Sequence, residues 1–171
     1  MHLLRILLPV LLPRGLAQTT TDSVSIYTQS RTYSYHGCYN ETTEIDGSDH
    51  SRALSGGANT VRKGEMTVPA CLDFCAKGDD GTQYLYAGLE WSRQVLIDAP
   101  STEECWCSQK IAGISKKLDD AECNFPCEGN KTFACGGSLK LSVYKLSAAS
   151  AESASSLLLL SLVTAAAMSA M

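Results

Sequence analysis

A small, disulfide-rich α+β domain, with one helix held against an antiparallel sheet, is the fold this sequence predicts. Three observations carry that expectation. All eight cysteines fall between Cys38 and Cys135, and an even count this dense behind a secretory leader reads as a disulfide framework. Residues 67–78 form a complete helix signature. Around that segment, residues 33–35, 83–91, 105–107 and 139–144 alternate or are rich in aromatics, which marks short strands.

The helix is the most fully specified element. Thr67 caps its start, and Pro69 falls in the first turn, where no helix donor is lost. Gly78 supplies a left-handed stop. Val68, Cys71, Leu72 and Cys75 share one side at spacings of three and four. Cys71 and Cys75 lie one turn apart, so a bond between them would constrain little. In the extended segment 105–107, Cys105 and Cys107 point the same way and Trp106 the other. We therefore expect the two helix cysteines to pair with these two strand cysteines. Each such staple closes a loop of about 30 residues and contributes roughly 3 kcal/mol in the loop-entropy account. Which sulfur meets which, and how Cys38, Cys123, Cys127 and Cys135 pair, stays open at this point. Residues 46–64, rich in Gly, Ser, Asp and Asn, read as loop. Residues 93–104 read as a long excursion between strands.

The two ends point to export and anchoring. Residues 1–17 follow the pattern of a signal peptide, with Arg5, an apolar run and Gly15-Leu16-Ala17 at the cleavage position. Residues 18–34 read as a flexible Ser/Thr-rich lead-in, 35–146 as the folded domain and 147–156 as a Ser/Ala linker containing the anchor site. Residues 157–171 are apolar or small and carry no charge. They are shorter than the roughly 20 residues a spanning helix needs. The order of small residues, polar spacer and apolar tail is that of a glycolipid (GPI) anchor signal. The expected location is the outer face of the plasma membrane, reached through a lipid.

Charge and chemistry narrow the function. Net charge is −4 with no basic run, so the electrostatic footprint of a nucleic-acid binder is absent. Outside the leader, the histidines are His36 and His50, and neither sits in a nucleophile motif; no enzyme is expected. The pairs Cys71-x3-Cys75 and Cys123-x3-Cys127 loosely fit zinc, but the secretory context favours disulfides. Asp79-Asp80 and Asp119-Asp120 lack a regular calcium loop and read as turns. No metal or cofactor is expected. Asn40-Glu41-Thr42 and Asn130-Lys131-Thr132 are N-glycosylation acceptors, and both are expected to be exposed.

Taken in order, the blocks resemble those of the WSC domain. They are Gly37-Cys38-Tyr39, Met66 through Cys75, Tyr86-Ala87-Gly88-Leu89-Glu90, Cys105-Trp106-Cys107, Cys123 through Asn130, Cys135-Gly136-Gly137 and Leu141-Ser142-Val143-Tyr144. The ordered set covers residues 35–146 and all eight cysteines. The resemblance implies an extracellular module with four disulfides, a PAN/apple-like fold and carbohydrate binding, of the kind found in fungal cell-wall stress sensors. The chain departs from the family's usual pattern in the insertion between the Gly-Leu-Glu and Cys-Trp-Cys blocks, and in Ser108 where Gly is common. With a short Ser/Ala linker where the wall sensors carry a long stalk, no cytoplasmic tail is expected.

A sugar site needs flat apolar faces for pyranose rings and nearby polar groups for hydroxyls. Tyr39, Tyr84, Tyr86, Trp91 and Trp106 are the aromatic candidates, with Asn124 as a polar one; Glu128 is a weaker one. Each aromatic also suits core packing, and Tyr144 suits it best. The expected partner is a cell-wall polysaccharide, glucan-like. The alternative is an interaction module that associates with itself or with a membrane sensor through exposed aromatics.

Overall fold

The computed structural model describes residues 23–92 and 102–148. The signal-peptide, anchor-tail and most of the linker expectations, and residues 93–101 of the 93–104 excursion, lie outside the described residues. Six strands form one sheet in the order β2-β4-β3-β6-β1-β5. They are β1 (Tyr33–Asn40), β2 (Asn59–Val61), β3 (Tyr86–Ser92), β4 (Thr102–Ser108), β5 (Lys117–Leu118) and β6 (Lys140–Leu146). All five strand pairings are antiparallel. The α-helix of the described residues, α1 (Val68–Lys77), packs on β3 and β4.

The helix forms where its local signals place it. Thr67 is the N-cap, its side chain accepting from the Ala70 N–H at 3.2 Å. At the other end the Gly78 N–H donates to the Phe74 carbonyl, and φ at Gly78 is +56°. Val68, Cys71, Leu72 and Cys75 are buried, against Tyr33, Ala87, Leu89, Cys105, Cys107 and Tyr144 of the sheet. The staples run Cys71–Cys105 and Cys75–Cys107, so both helix cysteines do bind the strand. Cys38–Cys123 ties β1 to the turn after β5, and Cys127–Cys135 closes a small loop. Every thiol is consumed, which removes the zinc alternative, since metal binding needs free thiolates.

Several boundaries differ from those expected. Residues 59–61, read as loop, form edge strand β2 against β4; three residues with no apolar pattern give no strand signal. β4 begins at Thr102 rather than Cys105, because its first residues are polar and read as loop. The closing strand runs Lys140–Leu146, one residue later than expected at its start, since Leu139 takes φ +55°. The segment ahead of β1, read as a flexible lead-in, is held where it is described. Ser25 bridges to Phe133, and the Tyr27 ring meets Phe133 edge-on at 5.1 Å. Its aromatic residue supplies the packing that a Ser/Thr count overlooks.

Among the described residues, no helix lies on the opposite face of the sheet. There Leu141 and Val143 are covered by Ala53 and Leu54 from the loop between β1 and β2. Gly88 makes this close approach feasible: a Cβ there would lie 2.6 Å from Leu54 Cδ1 and 3.0 Å from Leu141 Cδ2. The helix face and the loop face thus hold two separate apolar clusters.

Candidate functional site: an aromatic surface on the loop face

Strand parity sorts the aromatic candidates, since successive side chains alternate between faces. Trp106 lies opposite Gly88, and Trp91 opposite Glu103. The two tryptophans therefore sit on opposite faces of the sheet. Trp91 meets Phe125 edge-on at 4.8 Å on the helix side. Tyr84 packs against the helix-side core, and its carbonyl accepts the Tyr33 hydroxyl at 2.6 Å. Asn124 is exposed between Cys123 and Phe125. Tyr39, Tyr86 and Trp106 share the loop face, packed at the rim of the Leu141–Val143 cluster. The six candidates do not form one patch. Tyr144 is buried as expected.

One residue that sequence reasoning missed completes the surface. β1 contains a bulge between Tyr35 and Gly37: Tyr35 pairs with Tyr144, and Gly37 already pairs with Val143. Bulges re-aim side chains in this way. His36, the extra residue, lies on the loop face. Its ring is nearly parallel to Tyr39 (6°, centroids 5.7 Å apart) and tilted 52° to Tyr86 at 5.7 Å. All three rings are only partly buried. Gly37, at φ +142°, was the available signal for this break in the strand. It also leaves room for the Lys117 side chain, whose Cε would lie 2.4 Å from a Cβ there, so that Nζ donates to the His36 carbonyl at 2.9 Å. Lys145 Nζ stands 5.8 Å from the Tyr86 centroid. Burial and then the charges of Lys145 and Lys117 hold the His36 imidazolium below its ordinary range. Burial, then Tyr86, raises the Tyr39 hydroxyl.

Trp106 has a different environment. The Arg52 guanidinium lies 4.0 Å over its ring, and its indole N–H donates to Glu104 at 3.1 Å. Arg52 also pairs with Glu41 at 3.1 Å, Glu90 at 2.6 Å and Glu104 at 3.1 Å. The Arg52 face of Trp106 is thus already engaged. Glu41 and Glu90 are almost fully buried. Burial, reinforced by the Glu41 carboxylate and opposed by Arg52, pushes the Glu90 carboxyl up to about 8. Protonated Glu90 lets one cation satisfy this cluster, which pins the covering loop to the sheet. On the helix face Glu103 is fully buried; one oxygen accepts the Glu128 N–H at 2.7 Å and the other has no partner among the described residues. Burial raises it to about 7, against the lowering effect of that N–H.

The two glycosylation acceptors differ. Thr42 is fully buried, and the Asn40 amide bonds the Glu41 carbonyl and the Lys116 N–H. The expectation of exposure therefore fails at Asn40-Glu41-Thr42, because the strand end uses both polar side chains as structural ties. Asn130 is half-buried, with its side-chain oxygen accepting the Thr132 N–H, while Thr132 is exposed. A separate concavity of about 560 Å³ on the outer side of α1 is lined by Arg62, Ala70, Asp73, Phe74, Lys77 and Gly78. It offers one ring where the loop face offers three.

The WSC domain model matches residues 35–137, more than half of the chain. The chain belongs to the WSC domain family. Members are non-catalytic sensing and binding modules, typical of the cell surface. Relatives include a "WSC domain-containing protein" of Arthroderma benhamiae, 33% identical over 66% of this chain and 12% of its own length. A Chaetomium globosum protein named "Putative fungistatic metabolite" is 35% identical over 67% of this chain and 42% of its own. "Xylosyltransferase oxt" of Drosophila pseudoobscura pseudoobscura is 30% identical over 64% of this chain and 10% of its own. The chain thus spans less than half the length of each of these relatives.

Proposed function

We propose that this WSC domain is a carbohydrate-binding module, held at the cell surface by a glycolipid anchor, that retains cell-wall polysaccharide through the His36–Tyr39–Tyr86 surface. The observation that carries the reading is the set of three partly exposed rings on one sheet face, two of them nearly parallel. Such rings offer flat apolar area to the C–H faces of pyranoses, and the histidine nitrogens and tyrosine hydroxyls can bond sugar hydroxyls. Family membership supports a cell-surface carbohydrate-interacting role. The leader and tail patterns of the sequence support export and anchoring. Glucan is the ligand class the sequence reading favours.

The test is retention of the purified, oxidised full-length chain on insoluble β-glucan, chitin, cellulose and xylan. Selective retention, competed by soluble oligomers of the same sugar and lost in Tyr39→Ala or Tyr86→Ala, supports the reading. No retention on any of them, with all disulfides intact, refutes it and favours a protein-interaction module.

A further inference from the structure

We infer that the His36–Tyr39–Tyr86 surface prefers a sugar chain bearing carboxylates over the same chain without them. The inference rests on the carbohydrate-binding reading above and specifies its ligand class. It follows from what borders the rings. β1 supplies His36 and Tyr39, β3 supplies Tyr86, β6 supplies Lys145 and β5 supplies Lys117. The formal charges that act appreciably on the His36 ring, Lys145 and Lys117, are both positive.

This arrangement is local and built. The whole chain carries net charge −4, yet this surface is bordered by cations on two different strands. The carboxylates of the same sheet face, Glu41, Glu90 and Glu104, are engaged with Arg52. Lys117 is placed by the absence of a side chain at Gly37 and by its bond to the His36 carbonyl, which uses one of the three ammonium donors. Lys145 makes no ion pair among the described residues and lies beside the Tyr86 ring. A pyranose seated on the Tyr39 and His36 rings would bring an equatorial carboxylate to the lysine border, where charge-assisted hydrogen bonds are stronger than those to a neutral hydroxyl. An anion there also favours protonated His36, offsetting the two lysines that disfavour it.

The probes are a β-glucan oligosaccharide, the same oligosaccharide oxidised at C6 to the uronic acid, and the methyl ester of that acid. Binding to the full-length chain is measured by titration calorimetry at low salt. The acid is expected to bind about tenfold more tightly than the neutral chain, the scale of one or two partly exposed ion pairs. The ester should fall back to the neutral value, and added salt should shrink the difference. Lys145→Gln or Lys117→Gln should erase the preference for the acid over the neutral chain. The His36 ring, followed by NMR, should titrate at higher pH in the acid complex than in the neutral one. Equal affinity for acid and neutral chains, or a preference that survives both lysine variants, overturns the inference and leaves the carbohydrate reading standing. Binding of none of the three overturns both.

Discussion

Arg52→Ala removes the cation shared by Glu41, Glu90 and Glu104, and its cost should depend steeply on pH. Two of those carboxylates are nearly inaccessible to water, while the Arg52 side chain is 29% exposed. Breaking a buried pair costs about 3–5 kcal/mol; partial exposure of the arginine places this case near the lower end. Loss of the contact with Trp106 adds about 0.5–1 kcal/mol. We expect about 3–4 kcal/mol at pH 8 from these two contributions. The sign of the pH dependence follows from Glu90. Its folded-state value, about 8, lies above its ordinary 4.5. Its contribution is therefore complete below pH 4.5 and is lost as pH rises toward 8. At about 1.4 kcal/mol per pH unit, the loss in the native protein is capped near 5 kcal/mol. Without Arg52, which holds it down, the Glu90 carboxyl ionises even less readily, so the variant should approach native stability near pH 4.5 and diverge above it. Urea unfolding of the oxidised protein between pH 4.5 and 8 measures both curves, with Glu90→Gln as the control expected to flatten the native slope. A cost below about 1 kcal/mol at pH 8, the level of an ordinary surface pair, or a cost independent of pH, would refute the reasoning.

Other outcomes follow from the same structure. Glu103→Gln keeps an acceptor for the Glu128 N–H and removes a carboxyl raised from 4.5 to about 7; the variant should gain stability relative to the native protein as pH rises from about 4.5 to 7 and hold that gain above it, seen as a higher melting temperature at pH 8 but not at pH 4.5. Replacing disulfides pairwise by alanine should rank by loop length. Cys38–Cys123, with separation 85, should cost most and Cys127–Cys135, with separation 8, least; the loop-entropy values are about 4.6 and 2.5 kcal/mol, measurable by urea unfolding. Thr67→Ala should cost about 1 kcal/mol through loss of the helix cap, in the same assay. Tyr39→Ala and Tyr86→Ala should abolish polysaccharide retention while near-UV circular dichroism still reports a packed fold.

The helix was legible to within a residue at each end, because Thr67, Pro69 and Gly78 are local signals that act within one turn. The helix-to-strand staples were legible too: one-turn spacing at Cys71 and Cys75 and two-residue spacing at Cys105 and Cys107 each put two sulfurs on one side. The loop face was not. Tyr35 and Tyr39 have the same sequence parity, yet Tyr35 packs on the helix-side core and Tyr39 on the other. The bulge at His36 reverses the alternation between them. Trp91 and Trp106 both read as candidate sugar-binding aromatics, but strand register sends them to opposite faces. Arg52 lies in a segment read as featureless loop, and its role depends on carboxylates from the end of β1, from β3 and from β4, brought together only by the sheet order. Local patterns record turns and caps; the candidate surface arises from long-range register, which no single segment encodes.

The most direct test of the central claim is an NMR titration of the isotopically labelled, oxidised protein with a soluble β-glucan oligosaccharide. The account predicts saturable shift changes centred on His36, Tyr39, Tyr86 and Lys145, with Trp91, Tyr84 and Asn124 unmoved. Saturable changes centred on Trp91 and Asn124, or no change at millimolar sugar, would contradict it.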